Sequence, residues 1–200
     1  MSCIQIIGFK RNGIAECYDT VENPFLGALS VWRILSKKYM RREINFLNDN
    51  DVDELFNLYK DKSLSREDRI VLGSTFDDAL IKKENLKEVI EVYRNFKGKT
   101  NLREQADILK RILNNDEYIA VGFNQTSVNC DSWISYSYEY NDNDGDDDEY
   151  EKIESNYNCL EGDKHFWLIQ DIDNMKFENS IFRKVKNKIK NYIHVEKYYR

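Results

Sequence analysis

The chain has 200 residues, of which 41% are hydrophobic and 33% charged, with a formal net charge of −6. That length supports one good hydrophobic core, the composition is that of a folding globular chain rather than a disordered one, and no apolar run reaches the length of a bilayer span. The charge is uneven: residues 131–163 carry twelve acidic side chains against Lys152 alone, whereas residues 182–200 carry seven basic side chains against Glu196.

The first ten residues lack a basic leader followed by a long apolar stretch, so no secretory signal is expected and the reading is cytoplasmic. Residues 4–9 and 14–18 flank Asn12-Gly13, a pair suited to the positive φ angles of a tight turn, and predict a first hairpin. Asn23 and Pro24 fit an N-cap and first-turn pair. Phe25, Ala28, Leu29, Trp32, Leu35 and Tyr39 then recur at helical spacing, with Lys37, Lys38, Arg41 and Arg42 at the end that the helix dipole favours for cations.

The acidic cluster at 48–53 lacks the glycine that a calcium loop needs for its sharp turn, and reads as N-terminal charge on a short helix through Leu55, Leu58 and Tyr59. Ser65 and Asp68 have the spacing of a capping box, opening a helix that Gly73 closes. Residues 76–81 fit a brief strand or a helical turn equally. Leu86, Val89, Ile90, Tyr93 and Phe96 predict an amphipathic helix ending at Gly98; Leu102, Ala106, Leu109 and Leu113 predict the next, capped through Asn101 and Glu104. Gly98-Lys99-Thr100 fails as a phosphate loop, because Tyr93 stands where the first glycine belongs and a helix precedes it.

Residues 118–123 form a continuous apolar, β-prone run, and residues 133–140 alternate. Together they predict a central strand pair, with Ile134, Tyr136, Tyr138 and Tyr140 on one side of the second strand. An acidic, flexible loop is expected at 141–158. With Gly145 set as a turn glycine, Asp142, Asp144, Asp146, Asp148 and Glu151 approach a calcium-loop register, but Tyr140 replaces the opening aspartate, so a solvated acidic loop is the simpler reading. Residues 165–170 predict one more strand. Phe177, Ile181, Val185, Ile189 and Tyr192 form the stripe of a tail helix whose other faces carry Arg183, Lys184, Lys186, Lys188 and Lys190; docking of that stripe on the body and repulsion by the acidic loop both argue against direct nucleic-acid binding.

The four cysteines, Cys3, Cys17, Cys130 and Cys159, lack metal-type spacing and read as free thiols. His165 and His194 have no nucleophile in a recognisable motif beside them, and neither a nucleophile elbow nor a zinc-protease motif nor a dinucleotide fingerprint occurs. The expected fold is therefore a single α+β domain over 1–200: a mostly antiparallel sheet, covered by several helices, with the acidic loop between two strands. The expected function is non-enzymatic protein binding to a partner with a basic surface, of inhibitory, immunity or nucleic-acid-mimicking type. Its interface residues would be Tyr136, Tyr138, Tyr140, Asp142, Asp144, Asp146, Asp147, Asp148 and Glu149, with no cofactor and no catalytic or metal residue. The alternative is a small metal-dependent hydrolase or nuclease at Asp171 and Asp173, with Glu161, Asp163 or His165 nearby.

Overall fold

The computed structural model describes residues 3–44, 49–125, 135–140, 150–155 and 165–175. The chain is an α+β domain. The Asn12-Gly13 hairpin forms between β1 (Cys3–Lys10) and β2 (Ala15–Glu22). Its loop uses one positive φ, at Gly13, and Asn12 contributes a side-chain oxygen that accepts the Ile14 amide. The helical stretch that follows is three pieces: a 3-10 turn at Pro24–Leu26, α1 (Ala28–Leu35) and a π-helical turn at Ser36–Met40. Asn23 precedes Pro24 in a left-handed conformation and makes no side-chain cap.

Helices α2 (Asp49–Lys60) and α3 (Arg66–Gly73) come next, and the Ser65 hydroxyl accepts the Asp68 amide as the capping spacing predicts. The short strand β3 (Ala79–Lys82) settles the ambiguous stretch at 76–81. Helices α4 (Leu86–Asn95) and α5 (Leu102–Leu113) match their apolar periodicity. Asn101 does not cap α5 with its side chain; its amide donates to the carbonyls of Glu22 and Asn23, pinning the end of the hairpin. The remaining elements are β4 (Tyr118–Asn124), β5 (Ser135–Tyr140), β6 (Tyr150–Ser155), β7 (Phe166–Trp167) and α6 (Leu168–Asp173).

The main sheet has the order β2-β1-β4-β3-β7, antiparallel except for the parallel pairing of β3 with β7. This corrects the expected central pair. β4 lies between β1 and β3, while β5 pairs with β6 in a separate two-stranded sheet. The physical reason is matching: β4 is apolar on both faces and so is the run from Ile4 to Phe9 in β1, whereas the polar, alternating β5 finds an equally polar partner in β6. Residues 150–155, read from sequence as part of the acidic loop, are that partner. The expected strand at 165–170 is shorter than predicted, because Leu168, Ile169 and Ile172 place their buried side chains at helical spacing. The tail stripe from Phe177 to Tyr192 lies outside the described residues, as do Cys130 and Cys159, while Cys3 and Cys17 are free thiols.

The core sits on one face of the sheet. Ile4, Ile6, Val21, Ile81, Val121 and Phe123 pack there against Val31, Leu35, Ile70, Val89 and Leu109 of the helices. Burying each such side chain contributes about 1.5–3 kcal/mol. A smaller cluster of Ile7, Phe9, Ala15, Leu80 and Ala120 occupies the other face. Gly8 is needed where the Tyr118 ring crosses the sheet, since a Cβ there would stand 2.6 Å from two ring carbons. Among the described residues, no helix is long and apolar enough to cross a membrane.

Candidate functional site

A cleft of about 610 Å³ opens between the π-helical turn, α3 and α4. Its position follows from how α1 ends. Ala28, Val31, Trp32 and Leu35 bury one side of α1, and the wider π turn then carries the chain outward before Arg41 stops it in a left-handed conformation. Such turns change which side chains share a face, and they are frequent at functional sites. Here Lys38 and Tyr39, adjacent in sequence, both reach one carboxylate oxygen of Asp68, the ammonium at 2.5 Å and the phenol in a short hydrogen bond.

Asp68 is the anchor of the cleft. Its side chain is only 8% exposed, and it lies in the first turn of α3, where the helix dipole favours an anion. Burial disfavours the Lys38 ammonium, but the hydrogen bond and charge of Asp68 outweigh it, so the Lys38 pKa lies above the ordinary lysine value. With Asp68 accepting both donors and donating its own amide to Ser65, it is occupied as a structural anion rather than available as a general base.

The rest of the cleft divides into an apolar floor and an acidic rim. Ile34, Leu35, Val92 and Phe96 form the floor; Glu67, Glu88 and Glu91 stand at the rim, with Lys97 the other cation besides Lys38. Glu88 is held by both arms of the Arg66 guanidinium, at 2.7 and 3.2 Å, and the same guanidinium reaches Asp173 at 2.5 Å. Glu67 and Glu91 are exposed and have no ion-pair partner among the described residues. Apolar contact area edged by carboxylates outside any ion pair suits a ligand that offers an apolar anchor with cations around it.

The residues singled out from sequence fall elsewhere. The β5–β6 register sets Tyr136 opposite Glu154, Tyr138 opposite Lys152 and Tyr140 opposite Tyr150, so the three tyrosines stand at alternate positions along β5. Asp142, Asp144, Asp146, Asp147, Asp148 and Glu149 lie outside the described residues, in the segment that joins the two strands. Asp171 and Asp173 lie within α6. Asp171 accepts the Tyr59 hydroxyl at 2.7 Å and Asp173 accepts Arg66. Burial first, and the Asp171 carboxylate second, push the Tyr59 phenol well above its ordinary pKa. His165 directly precedes β7, Glu161 and Asp163 lie outside the described residues, and no three potential metal ligands converge among the described residues.

No known protein family, no curated protein and no solved structure matches the chain. The site therefore stands on its geometry.

Sequence reasoning missed the cleft, although α4 carried a signal of it. Val92 lies outside the stripe of Leu86, Val89, Ile90 and Tyr93 that packs inward, and with Phe96 it makes an i, i+4 apolar pair beside Glu88 and Glu91. An apolar pair off the buried stripe, flanked by acids, is the mark of a second, more open contact face. Buried Arg69 was also missed. It donates to the Asp61 carbonyl at 2.5 Å and so fastens the loop ahead of α3, a structural role.

Proposed function

We propose that this is a non-enzymatic cytoplasmic protein that binds a partner with a basic surface. The contact surface in this reading is the tyrosine-bearing β5–β6 ribbon with the acidic segment 141–149, and the acidic-rimmed cleft adds a second face of the same preference. The observation that carries it is the cleft's composition: an apolar floor of Ile34, Leu35, Val92 and Phe96, edged by Glu67 and Glu91, neither of which forms an ion pair among the described residues. Tyrosine supplies large contact area at low rotamer cost, and concentrated negative charge speeds encounter with a cationic surface. Carboxylates strung along a short segment also resemble a phosphate backbone, which makes nuclease-like or nucleic-acid-binding proteins the natural class of target and inhibition the natural outcome.

The test is capture of partners by purified protein at low and moderate salt. Amide replacement of Asp142, Asp144, Asp146, Asp147, Asp148 and Glu149 together, and separately of Glu67 and Glu91, is expected to abolish or weaken capture of basic proteins without lowering the melting temperature. Capture that survives both sets of replacements refutes the proposal. A stoichiometric divalent metal in the purified protein, lost on replacing Asp171 and Asp173, favours the hydrolase instead.

A further inference from the structure

A second cleft, of about 740 Å³, lies at the far end of the main sheet and has the opposite character. It is assembled from several elements of the chain. The β1–β2 turn supplies Arg11, the end of β3 supplies Lys82, the start of α4 supplies Lys87, and the wall is Leu113, Ile119 and Trp167. Ile119 is the extra residue of a bulge in the pairing of β1 with β4, which turns it toward the same side as Trp167.

Most of the positive charge here lies outside ion pairs. Lys83, which also lines the cleft, is bound to the Asn115 carbonyl and the Asp116 carboxylate. Lys82 lies 5.2 Å from the centre of the Trp167 ring and has no carboxylate on it, and Arg11 and Lys87 make no ion pair among the described residues. Three cations outside any ion pair among the described residues thus line a cleft with an aromatic and aliphatic wall, of the size that takes small ligands. Glu84, the one acid in the lining, supplies a hydrogen-bond acceptor.

We propose that this cleft binds a nucleoside phosphate. The base lies against the wall of Leu113, Ile119 and Trp167, the phosphates are held by Arg11, Lys82 and Lys87, and Glu84 accepts from a ribose hydroxyl. The grouping favours a mononucleotide over a nucleic-acid strand. Strand binding needs cations that track a backbone, whereas here carboxylates border the cations: Asp116 sits on Lys83, and Glu16 accepts the hydroxyl of Tyr118, another lining residue. An acidic peptide is the competing occupant, and the titration below separates it from a nucleotide. This site is independent of the acidic surfaces proposed above, and neither reading depends on the other.

Calorimetric titration of the full chain with ADP, with adenosine and with inorganic phosphate tests it. ADP is expected to bind more tightly than either fragment. The double replacement K82Q/K87Q, and R11Q separately, are each expected to weaken ADP binding about tenfold or more, the scale of losing charge-assisted hydrogen bonds to phosphate. All three side chains are at least partly exposed, so these variants should keep the parent melting temperature, and that is measured alongside. No heat with ADP, or ADP binding unchanged in both variants, overturns the proposal. So does a single-stranded oligonucleotide or a poly-glutamate peptide binding through these residues while ADP does not.

Discussion

At the scale of single residues, the chain depends on a few polar groups buried for structural reasons. Asp68 is the clearest, since removing its carboxylate takes away the acceptor of both the Lys38 ammonium and the Tyr39 hydroxyl. Asp68→Ala is expected to cost about 1.5–3 kcal/mol, kept to the lower range because Lys38 is half exposed and partly rehydrates; the shift in urea midpoint measures it. Lys38→Met should cost less, as Tyr39 still serves the carboxylate. Glu16 makes a different prediction. Burial raises its pKa, but hydrogen bonds from Lys10 and Tyr118 more than reverse this and hold it below the ordinary 4.5. A carboxylate with a depressed folded-state pKa stabilises above its unfolded value, and that contribution is lost as pH falls through the folded one. Wild type should therefore exceed Glu16→Gln in melting temperature at neutral pH, and the gap should close as pH drops below about 4.5. A gap independent of pH would assign the effect to packing instead.

At the scale of elements, what was legible in the sequence was what is local. The Asn12-Gly13 hairpin, the Ser65 cap, and the helices α4 and α5 each rest on residues within a few positions of one another, so their patterns are complete in a short window. Ser65→Ala should remove the cap and cost about 1 kcal/mol, read as a fall of roughly 2–4 °C in melting temperature for a chain of this size. Gly8→Ala should cost more, because the Tyr118 ring has to move aside; calorimetry of the two variants side by side gives the order. What was not legible was partnership. Alternation shows which face of a strand is apolar but not which strand lies next to it, so β4 was joined to its neighbour in sequence instead of to β1 and β3. The π turn was equally hidden, since Ser36–Met40 fits helical spacing whether the turn is α or π. Of the candidate site, the charges were visible while the cleft was not, because it needs three elements brought together from outside any one window.

At the scale of the molecule, charge is sorted by place. The cleft beside the π turn is edged with acids, the cleft at the far end of the sheet with bases, and the two proposed ligands carry opposite signs. Raising salt should weaken both interactions, and replacing Glu67 and Glu91 should leave ADP binding as it was; loss of nucleotide affinity in that variant would mean the two clefts are coupled. The pairing of β1 with β4 has a consequence for synthesis. Gln5 pairs with Asn124, so during translation the amino-terminal hairpin leaves the ribosome with its inner edge open until roughly a hundred more residues follow. At about 5–20 residues per second that wait is on the order of 5–20 s, long enough for nascent-chain chaperones to meet an apolar strand whose neighbour has not yet been made.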